Sequence, residues 1–147
     1  MTDGRRIIQL SWAGTALFTV AAFAAVAELD TFEAVTVAVD LLLLLAGCVA
    51  FGVGFLAAVA RSRTEEVTIP GLFALQDAGP RVVRLHLLGA TAVQVVVGVA
   101  TAATRPYTAL AFGVLTPVYG LGLTVLWAAR HGRFEPRRDS GRSVRMR

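Results

Sequence analysis

The sequence predicts an all-α polytopic membrane protein, with four transmembrane helices in a bundle and both termini in the cytoplasm (N-in/C-in). Three observations carry this reading. The 147 residues are 56% hydrophobic and 16% charged, too apolar for a disordered chain and unlike a soluble domain. Four apolar runs reach the roughly 20 residues that a helix needs to cross a bilayer. All 14 basic residues are arginine, and 13 of them fall on one side of those runs.

The spans cover residues 7–27, 34–60, 82–103 and 107–129. Together they form a single four-helix transmembrane domain, residues 1–130, followed by a basic cytoplasmic tail, 131–147. Arg5 and Arg6 precede the first span. Arg61, Arg63, Arg81 and Arg84 flank the loop between spans two and three. Arg130, Arg133, Arg137, Arg138, Arg142, Arg145 and Arg147 follow the fourth. Only Arg105 lies on the other side. The positive-inside rule therefore puts both ends of the chain in the cytoplasm of a plasma-membrane protein. An odd number of spans would break this pattern.

The first span opens with Arg5-Arg6 and closes on Ala25-Val26-Ala27, features it shares with a cleavable signal peptide. Its apolar run is longer than a usual signal core. It also carries Ser11, Thr15 and Thr19 at helical spacing, which favours a retained span. Similar stripes of small or polar residues mark the other spans: Ala46, Ala50, Gly54 and Ala58; Ala90, Gln94, Gly98 and Ala102; Thr116, Gly120, Thr124 and Ala128. Lipid tails are as apolar as leucine, so helices associate by close packing of small residues and by interhelical hydrogen bonds. The opposite faces, such as Leu41 to Leu45, suit lipid.

Asp40 lies near the outer end of the second span. Ionisable groups inside spans are costly and often functional. Arg105 is the only cation at that end, so a structural Asp40–Arg105 pair is the first expectation. An ion or proton relay is the second and a partner contact the third. Gln94, near the middle of the third span, can bond the Ser11, Thr15 and Thr19 stripe. Such bonds are worth about 0.6 kcal/mol on average, so packing is expected ahead of substrate contact. In the fourth span Pro117 removes a backbone donor and crowds the carbonyl of Gly113, which predicts a kink there. Shape is the plain use of that kink and a gating hinge the sharper one.

The loop at residues 64–80 reads TEEVTIPGLFALQDAGP. Its apolar stretch, broken by Pro70-Gly71, is too short to span. An interfacial helix with Phe73 and Leu75 dipping inward fits it, as does a docking site for a partner. The stretch from Arg130 to Arg147 sets seven arginines against Glu135 and Asp139, a pattern that binds anionic headgroups at about 1 kcal/mol per cation. Arg137-Arg138-Asp139-Ser140 also has the form of a basophilic kinase site, whose phosphate would loosen that contact.

The remaining reactive residues give little chemistry. His86 and His131 fall near the cytoplasmic helix ends and leave no spare ligand for a haem. One cysteine, Cys48, excludes a disulfide framework within the chain and a cysteine-based zinc site. No nucleophile–histidine–acid set, phosphate loop or metal-ligand spacing is present. The sequence therefore implies no catalytic residue, no metal and no cofactor. A short tail without aromatic stacking residues argues against nucleic acid.

Two stretches carry a resemblance. One is Ile69-Pro70-Gly71-Leu72-Phe73 with Gly79-Pro80-Arg81-Val82-Val83-Arg84. The other is Arg105-Pro106 with Ala111-Phe112-Gly113-Val114-Leu115-Thr116-Pro117 and Trp127-Ala128-Ala129-Arg130-His131-Gly132. Over roughly residues 60–135 the chain resembles uncharacterised small four-helix integral membrane proteins of actinobacteria, as does its arginine-only, Ala/Val-rich composition. The resemblance implies a fold and a compartment, and no functional residues. Small multidrug transporters are similar in size but carry a mid-span glutamate in the first helix, where Thr15 stands. Fluoride channels share the span count but not the asparagine- and threonine-rich pore pattern.

The expected function is a non-enzymatic accessory or scaffold subunit of a membrane assembly acting on the cell envelope. Its partners would be the lipid bilayer, anionic headgroups through the tail, and a membrane protein or further copies of the chain. The alternative is a small oligomeric transporter or channel that uses Asp40. A membrane enzyme acting on lipid-linked substrate would need a polar face that is missing.

Overall fold

The computed structural model describes residues 2–137, and the fold there is all-helical. Helices α1 (Thr2–Ala27), α2 (Leu29–Arg61), α3 (Ile69–Ala74), α4 (Arg81–Thr104) and α5 (Pro117–His131) follow in order, with a 3-10 segment, Ala109–Leu115, leading into α5. Four helical stretches are long and apolar enough to cross a membrane: Gly4–Ala27, Leu29–Arg61, Arg81–Thr104 and Ala109–His131. The kinase-site expectation and the last four arginines lie outside the described residues, apart from Arg137 itself.

Helix α2 starts earlier than the apolar run does. Asp30 sits in its first turn, and Glu28 is its N-cap residue. Carboxylates at a helix start complement its dipole, so the helix begins within the acidic stretch rather than after it. Its 33 residues make a rod of about 50 Å. A single residue, Glu28, separates it from α1. Thr36 Oγ1 donates to Ala21 O at 3.2 Å and ties the two helices below that corner.

The fourth span is two kinds of helix rather than one bent α-helix. Pro117 has no N–H to give Gly113 O. Thr116 N takes that carbonyl instead at 3.2 Å, an i to i+3 bond. The chain before the proline is accordingly wound as a 3-10 helix, and α5 starts afresh with Pro117 in its first turn. The residues expected to kink the span, Gly113 and Pro117, thus mark a change of helix type.

Helix α5 packs against α1, α2, α3 and α4. Nine of its 15 residues are buried, among them Gly120, Thr124 and Ala128 of the sequence stripe, and the fourth of that stripe, Thr116, is buried just ahead of the helix. Its closest neighbour is α2. A Cβ on Gly47 would lie 2.6 Å from Tyr119 Cα, and one on Gly54 would lie 2.7 Å from Leu126 N. A Cβ on Gly122 would strike Gly47 O. The two backbones meet at glycines, the close approach that membrane helices use.

Two stripes differ from expectation in detail. The buried line of α2 is Thr36, Asp40, Leu43, Gly47, Ala50, Gly54 and Ala58. Gly47 replaces Ala46, which is exposed, because a stripe that stays on one face steps by three as well as by four. The same rule puts Leu43 in the core while Leu42 and Leu45 face outward. In α4, Thr101 joins Ala90, Gln94 and Gly98, and Ala102 is only half-buried. The exposed faces of α1, α2 and α4 are lined with Leu, Val and Phe, as lipid contact requires.

Candidate functional site

Two groups of residues are candidates: a polar layer inside the helices, and a clamped surface at the arginine-rich end.

The polar layer is built where the fourth span changes helix type. Asp40 is 1% exposed. Thr116, also buried, donates Oγ1 to Asp40 Oδ1 at 3.3 Å, while Oδ2 has no hydrogen-bond partner among the described residues. Phe18 and Gly113 close the same region: a Cβ on Gly113 would lie 3.2 Å from the Phe18 ring and 3.8 Å from Asp40 Oδ2. Asp40 stands eleven residues on from Leu29, the start of α2, about 16 Å along the helix. The carboxyl is buried within the protein and does not reach its surface.

The expected Asp40–Arg105 pair is not made. Arg105 follows the last residue of α4, is exposed, and donates Nη2 to Val26 O at 3.3 Å. It fastens the far corner of α1, while Asp40 is set too deep in α2 to meet it.

Gln94 does meet the first stripe. Its Nε2 donates to Thr15 Oγ1 at 2.7 Å, and its Oε1 accepts from Gly120 N at 3.3 Å. Thr15 in turn donates to Ser11 O at 2.8 Å. Gly120 lies in the first turn of α5, where Thr116 O already accepts from Tyr119 N at 2.9 Å and a further acceptor is needed. The Gln94 amide supplies one. Tyr119 OH donates to Leu10 O at 2.8 Å and makes a second α5–α1 tie. Ser11 Oγ is buried without a partner among the described residues.

The second group was missed by sequence reasoning, which used Arg61 only for orientation and Arg133 and Arg137 for orientation and headgroup binding. Arg61, the last residue of α2, reaches three places. Nη1 donates to Ala129 O at 2.9 Å, and Nη2 donates to Gly132 O at 3.0 Å and to Glu65 Oε2 at 2.6 Å. Its guanidinium also lies over the Phe134 ring, 5.2 Å from the centroid. The chain after α5 then folds back on the loop. Glu66 N donates to Glu135 O at 2.8 Å, and Arg137 N donates to Thr64 O at 3.0 Å, around a short bridge between Glu65 and Pro136. Arg133 N donates to Ala78 O at 2.8 Å. Residues 132–137 are therefore docked, not a free tail.

Helix α3 is part of this surface. Thr68 Oγ1 caps it by accepting from Gly71 N at 3.1 Å, and Leu75 ends it with φ 53°. Leu72 and Leu75 are buried and Phe73 meets the Phe51 ring at 6.0 Å, so these side chains pack against the protein itself. Trp127 stacks on His131 at 5.6 Å and shares with Asp77, Gly79 and Arg133 a cleft of about 560 Å³. His86 sits edge-on to Trp12 at 6.4 Å. Cys48 is exposed on α2.

Among the described residues no three His, Cys, Asp or Glu side chains gather as a metal site. Comparison with protein-family models, with curated proteins and with solved structures returns no match to this chain.

Proposed function

We propose that this multi-pass membrane protein is a non-enzymatic accessory subunit of a plasma-membrane assembly, with its arginine-rich end and both termini in the cytoplasm. The observation that carries the reading is the Arg61-clamped surface. Three separate segments, the 62–68 loop, the turn around Asp77 and the 132–137 strand-like return, are held together by hydrogen bonds. Connecting four helices needs no such construction, whereas a protein partner needs a surface of fixed shape. The uneven distribution of arginine supports the orientation.

The test is purification of the full chain from native membranes in mild detergent, with mass spectrometry of what accompanies it. A stoichiometric membrane protein that is lost from the Arg61→Ala variant is the expected result. A homo-oligomer without companions would overturn the reading.

Asp40 favours a second reading, a small oligomeric transporter or channel. A buried carboxyl with one oxygen unpartnered, beside a helix broken at Pro117, has the ingredients of an ion-coupling site. Here Asp40→Asn abolishes a flux across liposomes while the protein stays folded.

A further inference from the structure

We propose that the cleft between the first turns of α1 and α4 binds the headgroup of an anionic membrane phospholipid. This rests on the membrane placement of the helices and is independent of the accessory role.

The cleft has a volume of about 490 Å³ and is lined by Arg5, Ile8, Gln9, Val82, Val83 and His86. Its polar lining is entirely of groups that can donate. Arg5 offers a guanidinium fork, Gln9 an amide N–H, and His86 a ring N–H. Among the described residues that line it, none is acidic. The neighbouring clefts differ in this respect. One sets Glu65 and Glu66 beside Arg137, another holds Glu66, Asp77 and Glu135, and the Trp127–His131 cleft includes Asp77. Those three clefts mix carboxylates with their cations, whereas the described lining of the α1–α4 cleft offers an anion donors alone. Arginine matches the paired oxygens of a phosphate with two parallel bonds, which a point charge cannot do.

The floor of the cleft identifies the source of that phosphate. Ile8, Val82 and Val83 are apolar, and Val82 is 64% exposed. Free phosphate gains nothing from such a floor. The glycerol and first acyl carbons of a phospholipid do gain from it. Trp12, 40% exposed and edge-on to His86, marks the level where indole rings settle at a bilayer surface. The cleft therefore spans the headgroup and glycerol depth. Basic pockets between transmembrane helices are a known means of holding anionic headgroups.

The test uses the full chain in dodecyl maltoside, exposed to equal amounts of phosphatidylglycerol and phosphatidylcholine and read by native mass spectrometry. Phosphatidylglycerol is expected to be retained over phosphatidylcholine by about fivefold or more, as a charge-assisted site requires. The double variant Arg5→Gln, His86→Gln lowers that ratio to near one, while Arg63→Gln, outside the cleft and the tail, leaves it unchanged. Val82→Trp fills the cleft without altering its charge and lowers the ratio as well. That variant decides the matter if the double variant does not fold. Equal retention of the two lipids, or a ratio unaffected by either cleft variant, overturns the proposal. So does binding of inorganic phosphate alone with no selective retention of lipid.

Discussion

Gln94 and Thr15 meet at 2.7 Å in the interior, and through that contact the middle of α4 is tied to α1. The same amide accepts from Gly120 N, so one side chain serves three helices. Its position follows from the restart of α5 at Pro117. A helix that begins inside the protein brings unpaired N–H groups with it, and something polar has to meet them.

Gln94→Leu keeps the volume and removes both bonds. Thr15 retains its bond to Ser11 O, so the loss falls chiefly on Gly120 N. The expected cost is about 1–2 kcal/mol, at the upper end for interhelical hydrogen bonds in membranes. Unfolding in mixed micelles by titration with dodecyl sulfate measures it. An unchanged midpoint would mean that Gly120 N is satisfied without the amide.

The glycines of α2 should separate sharply. Gly47→Leu drives a side chain into the Tyr119 backbone, which would lie 2.6 Å from its Cβ. A Cβ on Gly52 meets nothing within 4 Å. Backbone cannot rotate away as a side chain can, so the Gly47 change should exceed the usual overpacking cost of about 1–3 kcal/mol. Gly47→Leu is expected to emerge from size-exclusion chromatography as aggregate and Gly52→Leu as a single peak like the parent. Two equivalent profiles would show that α2 and α5 can separate without loss of the fold.

Much of this was legible in the chain. Residues such as Gly54, Ala58, Ala90 and Gln94 stand on buried faces because packing of small residues leaves a periodic mark. Gln94 could be assigned to the Ser11–Thr15–Thr19 stripe because a mid-span amide has few polar neighbours to choose from. The partner of Asp40 was not legible. Arg105 was the natural choice by charge, and Thr116 won because the break before Pro117 sets a hydroxyl at that depth. The Arg61 clamp was hidden for a different reason. Its acceptors are mostly backbone carbonyls, which carry no sequence signature.

The Asp40–Thr116 bond can be measured by a double-mutant cycle. Thr116→Val removes the donor at nearly constant volume and leaves Asp40 wholly unpartnered. That should cost about 1–3 kcal/mol, the range for stranding a buried polar group. In an Asp40→Leu background no carboxyl remains to be stranded, and the same change should cost close to nothing. The difference is the coupling. Equal costs in both backgrounds would show that Thr116 stabilises the helix junction by itself and that Asp40 is incidental to it.

Arg61 can be tested through two amides that it does not touch. Glu66 N and Arg137 N bond across the loop and the returning chain, and both bonds need residues 132–137 in place. Arg61 holds that return at Gly132 O and under the Phe134 ring. Arg61→Ala removes the carbonyl bonds, the ion pair with Glu65 and the ring contact together. Hydrogen exchange at the two amides should rise by about tenfold or more, equivalent to about 1.4 kcal/mol of lost protection. Arg61→Lys keeps the charge but has no planar fork to reach Ala129 O, Gly132 O and Glu65 at once, so it should protect only partly. Tryptic cleavage after Arg63 and Arg133 should accelerate in the same order, alanine before lysine. If exchange at both amides is unchanged in Arg61→Ala, then the Glu65–Pro136 bridge holds the surface by itself, and Arg61 serves only to anchor the end of α2.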